Sequence, residues 1–433
     1  MVDTILHDHG NDGIDRRGFL KCMAWAGTGA LWVMQGGVLR SALLARTPDT
    51  GGTLDGELFF AQISDSHIGF AKEANPDVAA TLKEAVDRLN RLPRSPAFVL
   101  HTGDISQLSK PGEFDTADQI IRGIHTDRLF YVPGEHDVLG DNGRQYLDRY
   151  GKKTRGNGWY SFDHSGVHFV GLVNVLNLKP GGLGYLGPEQ IAWLRDDLAG
   201  QSDSTPIVVF AHVPLWTVYP EWGWGTDDSA QALALLKRFG SVTVLNGHIH
   251  QVMQKVEGNM AFHTAMSTAF PQPAPGTAPS PGPLTVEPAR LRSLLGLTSV
   301  TYHQGQGSLA IVDSPLGTGP AGMQAVASAA MPAAAPGQMM RDSAAAAVVG
   351  DALAIRIENF TFSPSELHVP RGRKVIWINV DDVPHLVASA DGRFRPSPAL
   401  DTKDHYTLTL TRPGSYPYFC SIHPRMTGRI VVE

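Results

Sequence analysis

From residue 57 to 314 the apolar residues fall into two alternating rhythms. Residues 58–63, 98–100, 129–132, 167–173, 207–211 and 242–245 are short apolar runs rich in β-branched and aromatic side chains, which predict buried strands. Between them, residues 77–92, 188–198 and 229–239 carry apolar positions every three to four residues, the spacing of one helix face. Strands alternating with helices predict a layered α/β domain. Residues 271–283 are dense in Pro and Gly and predict a loop, and residues 298–312 return to strand-like text that closes this domain. Residues 315–350 are rich in Ala, Gly, Pro and Met and predict a linker. From Ala352 the rhythm shortens to alternating strands at 355–357, 374–379, 406–410 and 429–432, separated by Pro and Gly turns. That pattern predicts a small all-β sandwich. The expected organisation is therefore a leading segment 1–45, an α/β domain 55–314, a linker 315–350 and a β domain 351–433, with no internal repeat.

Composition narrows the classes. A length of 433 residues allows two or three domains, and 42% hydrophobic with 18% charged residues excludes wholesale disorder. A mean hydropathy of −0.11 excludes a polytopic membrane protein. The formal charge of −6 argues against a nucleic-acid-binding surface, which needs a surplus of cations. There are 17 histidines but only two cysteines, so a disulfide framework is excluded and metal or thiol chemistry is favoured. The leading segment holds Asp15, Arg16, Arg17, Gly18, Phe19, Leu20 and Lys21 before a weakly apolar run that Gly27, Gly29, Gly36, Gly37 and Arg40 interrupt. It resembles a twin-arginine export signal and makes a poor membrane span, which implies a periplasmic or extracellular mature protein. Cys22 would leave with it, making Cys420 the sole thiol.

Five clusters lie at the carboxyl ends of predicted strands: Asp65 with His67, Gly103 with Asp104, Gly134 with Glu135, His136 and Asp137, His212 with Pro214, and Gly247 with His248 and His250. Open α/β sheets build their sites at those ends. The mixture suits two cations: a bridging carboxylate offsets their repulsion, and neutral imidazoles complete the shells. This ordered set resembles the calcineurin-like metallophosphoesterase superfamily over residues 57–313. The resemblance implies an αββα sandwich that hydrolyses phosphate mono- or diesters through a hydroxide activated by two divalent or trivalent metals (Fe, Mn or Zn). By it, Asp65, His67, Asp104 and His250 hold the first metal, Asp104 bridges, and Glu135, His212 and His248 hold the second. His136 lies by the leaving group, as general acid or as a stabilising cation. Glu135 departs from the family, which has Asn there. It either adds a carboxylate ligand that favours a harder ion such as Fe(III), or swings away and leaves the second site weak. The tyrosine of purple acid phosphatases is absent after Asp104. His101 is expected to be a core or second-layer histidine, and His164 and His168 structural or exposed. Trp216, Tyr219, Trp222 and Trp224 form either a pocket wall or an ordinary packed loop.

A second constellation has a different character. His385 is followed by Cys420, His423 and Met426 in a Cys-x-x-His-x-x-Met loop. One thiolate, two imidazoles and a thioether are the ligand set of a type 1 copper ion, able to hold both oxidation states. His385 is expected at the end of one strand, which it shares with Asn379, and Cys420 at the end of another. The stretch resembles the cupredoxins, with a loop like that of amicyanin, and the resemblance implies one copper ion and a redox partner protein. Two functions then compete. The chain is an exported phosphoesterase with a copper module for electron transfer or partner docking, or a copper electron-transfer protein whose phosphoesterase layer is a scaffold.

Overall fold

The computed structural model describes residues 30–35, 38–43, 57–126, 128–304, 309–317, 347–349 and 351–433. The twin-arginine motif, its cleavage region and most of the expected linker lie outside these residues. Ala30–Gln35 and Val38–Leu43 pair as an antiparallel hairpin. No helix among the described residues is long and apolar enough to cross a membrane.

Two mixed sheets face each other in the first domain. One has five strands in the order Leu309–Pro315, Gly296–His303, Glu57–Ile63, Val99–His101 and Leu129–Tyr131. The other has six, in the order Gln254–Glu257, Met260–Thr264, Val242–Asn246, Ile207–Ala211, Val167–Gly171 and Tyr160–His164. In the six-stranded sheet the inner pairings are parallel and both edge strands antiparallel. In the five-stranded sheet Glu57–Ile63, Val99–His101 and Leu129–Tyr131 are parallel, and Gly296–His303 and Leu309–Pro315 add on antiparallel. Their unbroken apolar runs follow from burial on both faces. In Ile207–Ala211, Val208 and Phe210 enter the core between the sheets with Phe60, Phe98 and Phe169, while Ile207, Val209 and Ala211 face outward under helices Pro188–Ala199 and Ser229–Leu236. The opposite sheet is covered by Val78–Asn90 and Pro111–Ile121 through Leu82, Val86, Phe114 and Ala117. The result is the expected αββα sandwich.

The helix Val78–Asn90 illustrates how sequence reaches packing. Asp77 caps it by accepting the Ala80 N–H at 2.9 Å, and Val78, Leu82, Ala85, Val86 and Leu89 recur on its buried face. Truncating Leu82 to Ala would cost about 2–5 kcal/mol, while losing the cap would cost nearer ~1 kcal/mol. Packing therefore outweighs capping here.

The second domain is a sandwich of two sheets. One is ordered Ala347–Val349, Ala352–Glu358, Lys374–Asn379, His405–Thr409, with Thr361–Ser363 beside Ala352–Glu358. The other is ordered Glu366–Val369, Thr427–Val432, Gly414–Phe419, Ala388–Ser389. Strict alternation, as in Val375, Trp377 and Asn379, sends every second residue into the core around Trp377, Tyr418 and Ile430.

The domains touch at the end that bears the clusters. Lys72 Nζ donates to the Asp382 carbonyl at 3.0 Å and pairs with Asp401 at 2.6 Å. Gly181 N–H donates to the Pro424 carbonyl at 2.6 Å, and Arg425 donates to the Gly181 carbonyl at 2.7 Å. Leu139 of the first domain is buried against the core of the second.

Candidate metal centres

All seven candidate ligands of the first domain converge. Asp65 and His67 follow Glu57–Ile63, Asp104 follows Val99–His101, Glu135 opens a short turn (Glu135–Val138) after Leu129–Tyr131, His212 follows Ile207–Ala211, and His248 and His250 follow Val242–Asn246. The backbone is bent to bring them together. Asp65, His67, Asp104, His248 and His250 are all left-handed, with φ between 42° and 72°. Side-chained residues rarely hold that conformation without a structural or functional reason. Two glycines make room: a Cβ on Gly134 would strike Asp104, and one on Gly103 would come within 2.5 Å of the His212 ring.

The hydrogen bonds behind the ligands settle the tautomers. His67 Nδ1–H donates to Gln107 Oε1 at 2.9 Å, His250 Nδ1–H to the Phe270 carbonyl at 2.6 Å, and His212 Nδ1–H to the Thr102 carbonyl at 2.7 Å. Each then turns an Nε2 lone pair inward. His67 Nε2 and His250 Nε2 stand 3.2 Å apart. His212 Nε2 and Glu135 Oε2 stand 3.0 Å apart, yet both are buried without a hydrogen bond. Lone pairs facing one another at such distances repel unless a proton or a metal ion lies among them, and the neighbouring carboxylates favour that positive charge on His212. The residues fit a metal pair.

Two subsets emerge. Asp65, His67 and His250 have ligand atoms mutually within 4.8 Å, as do Glu135, His212 and His248. Asp104 Oδ2 lies between them, 3.5 Å from His67 Nε2 and 3.3 Å from His212 Nε2. Glu135 does not swing away: it is 4% exposed and its Oε1 is 2.9 Å from His248 Nδ1. Burial alone would raise Asp65, Asp104 and Glu135, but the surrounding imidazoles hold all three carboxyls below their usual range. Burial pulls His67 down to about 3, so it stays neutral and able to ligate.

His136 sits at the edge of this cluster, its ring 4.7 Å from that of His67. Its Nδ1–H donates to the Gln107 carbonyl at 2.9 Å and its backbone N–H to Asp104 Oδ1 at 2.9 Å. Gln107 thus anchors two site histidines, a role invisible in sequence because it lies in no motif. Asp137 takes the N–H groups of Gly134, Ile105 and Ser106, tying two ligand loops together. Burial, then the neighbouring Asp104 charge, raises Asp137 to about 6.

Three further histidines of the first domain have structural partners. His101 is buried and bonds Ser66 Oγ at 2.8 Å, and burial lowers it to about 4. His168 bridges Asp163 and Asp197 at 2.8 and 2.9 Å. His263 pairs with Asp313. The aromatic run divides: Trp216 packs on Phe262 in the core, whereas Trp222 and Trp224 line the cavity over the cluster.

In the second domain, Cys420, His385 and His423 close on one point. Cys420 Sγ is 3.8 Å from His385 Nδ1 and 3.7 Å from His423 Nδ1, and the two imidazole nitrogens are 3.2 Å apart. Donors bound to one ion at about 2.0–2.3 Å stand roughly 3–4 Å apart, so these residues fit a single copper. Met426 is buried in the same core, and its carbonyl accepts the Cys420 N–H at 3.0 Å. One expectation is corrected. His385 does not end a strand shared with Asn379; Lys374–Asn379 stops first, and His385 lies in the loop before Ala388–Ser389. Asn379 instead pins that loop by donating to the Val383 and Leu400 carbonyls at 2.8 Å. His385 Nε2–H donates to Asp381 at 2.9 Å, which frees Nδ1 for the metal. Burial disfavours its charged form, but the bonds to Asp381 and the Cys420 sulfur outweigh burial and raise it to about 9. Asp381 was not singled out from sequence, although a carboxylate four residues before His385 was the available signal.

The two centres face each other. His423 and His136 have ring centroids 6.4 Å apart, and Glu135, His136 and His423 have ligand atoms within 4.8 Å of one another. Phe360, itself left-handed at φ 55°, packs 4.7 Å from His423 and 5.2 Å from His385.

Comparison with known proteins agrees with this division. The calcineurin-like phosphoesterase family matches residues 60–252, and the cupredoxin-like domain family matches residues 328–432. Amicyanin of Paracoccus versutus is 38% identical over 96 residues, 21% of this chain and 71% of that protein. Glycerophosphodiester phosphodiesterase GpdQ of Enterobacter lignolyticus is 26% identical over 208 residues, 45% of this chain and 72% of that protein. Serine/threonine-protein phosphatase CPPED1 of Danio rerio is 26% identical over 238 residues, 47% of this chain and 74% of that protein. A solved Cu(I) form of an amicyanin variant is 36% identical, covering 20% of this chain and 86% of that one, with a TM-score of 0.19. The chain carries a calcineurin-like phosphoesterase domain and, C-terminal to it, a domain that belongs to the cupredoxin family.

Proposed function

We propose that this protein is an exported phosphoesterase that hydrolyses phosphate mono- or diesters at the convergent cluster, and that its cupredoxin domain holds a type 1 copper for electron transfer. The observation that carries the hydrolase reading is Asp104 Oδ2, which faces His67 on one side and His212 on the other. Asp65, His67 and His250 would hold one ion, Glu135, His212 and His248 the other, with Asp104 between them. Two cations there, iron, manganese or zinc, would polarise phosphoryl oxygens and acidify water enough for attack at neutral pH. The chain's own work is placement. Gln107 and the Phe270 and Thr102 carbonyls fix the imidazoles, and the buried walls restrict solvent. His136 lines the cavity and is held through Nδ1, which leaves Nε2 free; as the imidazolium it can give the Nε2 proton to the departing oxygen. Hydrolysis of p-nitrophenyl phosphate or its bis-ester, with Mn(II) or iron supplied, tests this. Wild-type-like turnover by His136→Ala would remove its assigned role.

The proximity of His423 to His136 favours a second element of the reading: a copper ion held by His385, Cys420 and His423 would lie near enough to supply an electron to, or take one from, a redox-active iron held by the first-domain donors, besides serving a separate redox protein. Metal analysis of the natively loaded protein bears on this, since zinc alone in the pair would count against it. A copper protein using the first domain as a scaffold is disfavoured, because a scaffold needs neither His136 nor seven converging donors. Export rests on Arg16 and Arg17. Replacing both by Lys should leave the precursor in the cytoplasm, and continued export would refute it.

A further inference from the structure

The cavity directly over the donor cluster is small, about 30 Å³, lined by Glu135, His136, Trp222, His248, Phe360 and His423 among others. A water needs roughly 10–15 Å³ of such space, so about two or three waters fill it, and a whole ester does not fit. A second cavity of about 310 Å³ adjoins it along the seam between the domains. Both are lined by Glu135, Trp222, His248, Pro281, Phe360 and His423, so the large cleft opens onto the metal donors. Its volume falls at the low end of the roughly 300–1,000 Å³ usual for small-molecule sites.

The walls come from both domains. The phosphoesterase side supplies Val175, Leu178, Val213 and Trp222, and the far side is the copper-ligand loop: Ile422, His423, Pro424, Arg425 and Met426. The chemistry of these walls is apolar and aromatic. The acidic groups Glu135 and Glu221 disfavour a further negative charge, and the Arg425 guanidinium is engaged with the Gly181 carbonyl. A neutral, apolar group is what this surface desolvates at least cost.

We infer that the seam cleft binds the organic group of the ester. The substrate class is then a phosphate ester of a small apolar or aromatic alcohol, seated between Trp222 and Phe360 against the copper loop. The assignment rests on the hydrolase reading for the position of the phosphoryl group, and it adds the substrate class and the second domain's part in binding.

The test uses the natively metal-loaded full chain and two non-hydrolysable probes, phenylphosphonate and methylphosphonate. Calorimetry should give phenylphosphonate an affinity at least ~10-fold higher, the gain expected from burying a phenyl ring. Phenylphosphonate should also shift the blue absorption and the copper EPR spectrum, because the cleft touches His423 and Met426, while methylphosphonate leaves both unchanged. Trp222→Ala and Phe360→Ala should erase the preference without weakening methylphosphonate. Thr361→Trp, at an exposed position on the cleft, should block phenylphosphonate alone and guards against a folding defect in the other two. Equal affinities, or phenylphosphonate binding that ignores Thr361→Trp and leaves the copper spectrum unmoved, would overturn the proposal. Binding is read without turnover. A protein that passes these tests yet hydrolyses no ester would refute the hydrolase reading and keep the cleft.

Discussion

The two metal centres solve the same problem, gathering donors around a cation, by opposite routes. In the phosphoesterase domain seven hard oxygen and nitrogen donors come from five loops on two sheets, and five of them sit in left-handed backbone. In the cupredoxin domain three of the four expected donors, Cys420, His423 and Met426, lie on one short loop, and only His385 comes from afar. The first centre is therefore maintained by the whole sandwich, through Gln107, Asp137 and the carbonyls behind its imidazoles. The second is maintained by one strand end, closed by hydrogen bonds within the loop and by Asp381. A distributed site tolerates the loss of one ligand poorly because each loop holds its neighbour. A local site stands or falls with its thiolate.

The largest expected effect tests the independence of the two. Cys420→Ser should abolish the copper band at about 600 nm completely while hydrolysis persists. Loss of both together would break the comparison. Next, Asp104→Asn should lower hydrolysis by at least ~10³-fold, since it removes the carboxylate charge set most nearly midway between the two subsets, and should leave the copper spectrum intact. A fall of only severalfold would mean that the two subsets do not share a ligand. Asp381→Asn should weaken copper by about 10–100-fold in a chelator competition, the usual cost of removing the partner behind a ligating imidazole. An unchanged affinity would show that the loop alone positions His385. The smallest effect concerns the seam. Lys72→Ala removes a partly exposed ion pair with Asp401 and should lower the first thermal transition by only about 2 °C, consistent with a pair worth ~1 kcal/mol or less. A much larger drop would mean that the domains do not fold independently of their contact.

What could be read along the chain shares a feature: the signal was local. The candidate copper donors were legible because Cys420, His423 and Met426 are spaced on one loop, and the strands because burial on both faces writes unbroken apolar runs in the first domain and burial on one face writes alternation in the second. The phosphoesterase donors were legible through short paired motifs, each at a strand's end. The misplaced strand position of His385 came from treating Asn379 and His385 as one element, when a bridge from His385 to Leu400 governs that loop. Three helices, Pro111–Ile121, Arg144–Tyr150 and Pro288–Leu294, carry no clear helical signal in the sequence because their apolar faces are short or interrupted.

The parts of Gln107 and Phe360 were not readable, because each acts on residues distant in sequence or through backbone groups that carry no residue code; Asp137 stood in its motif without a role, and Asp381 had only its spacing from His385 as a signal. The same holds for the meeting of the two centres. The linker's composition allowed any arrangement of the domains; the contact of Lys72 with Asp401 and of Arg425 with Gly181 selects one. Sequence by itself determined which donors exist, how hard or soft they are, and which sheets carry them, since those depend on residue type and short-range spacing. Only the tertiary structure decided that Glu135 points inward, that the imidazoles face one another across shared space, and that His423 closes over His136. Those outcomes depend on how distant segments pack, and long-range packing leaves no periodic trace in the chain.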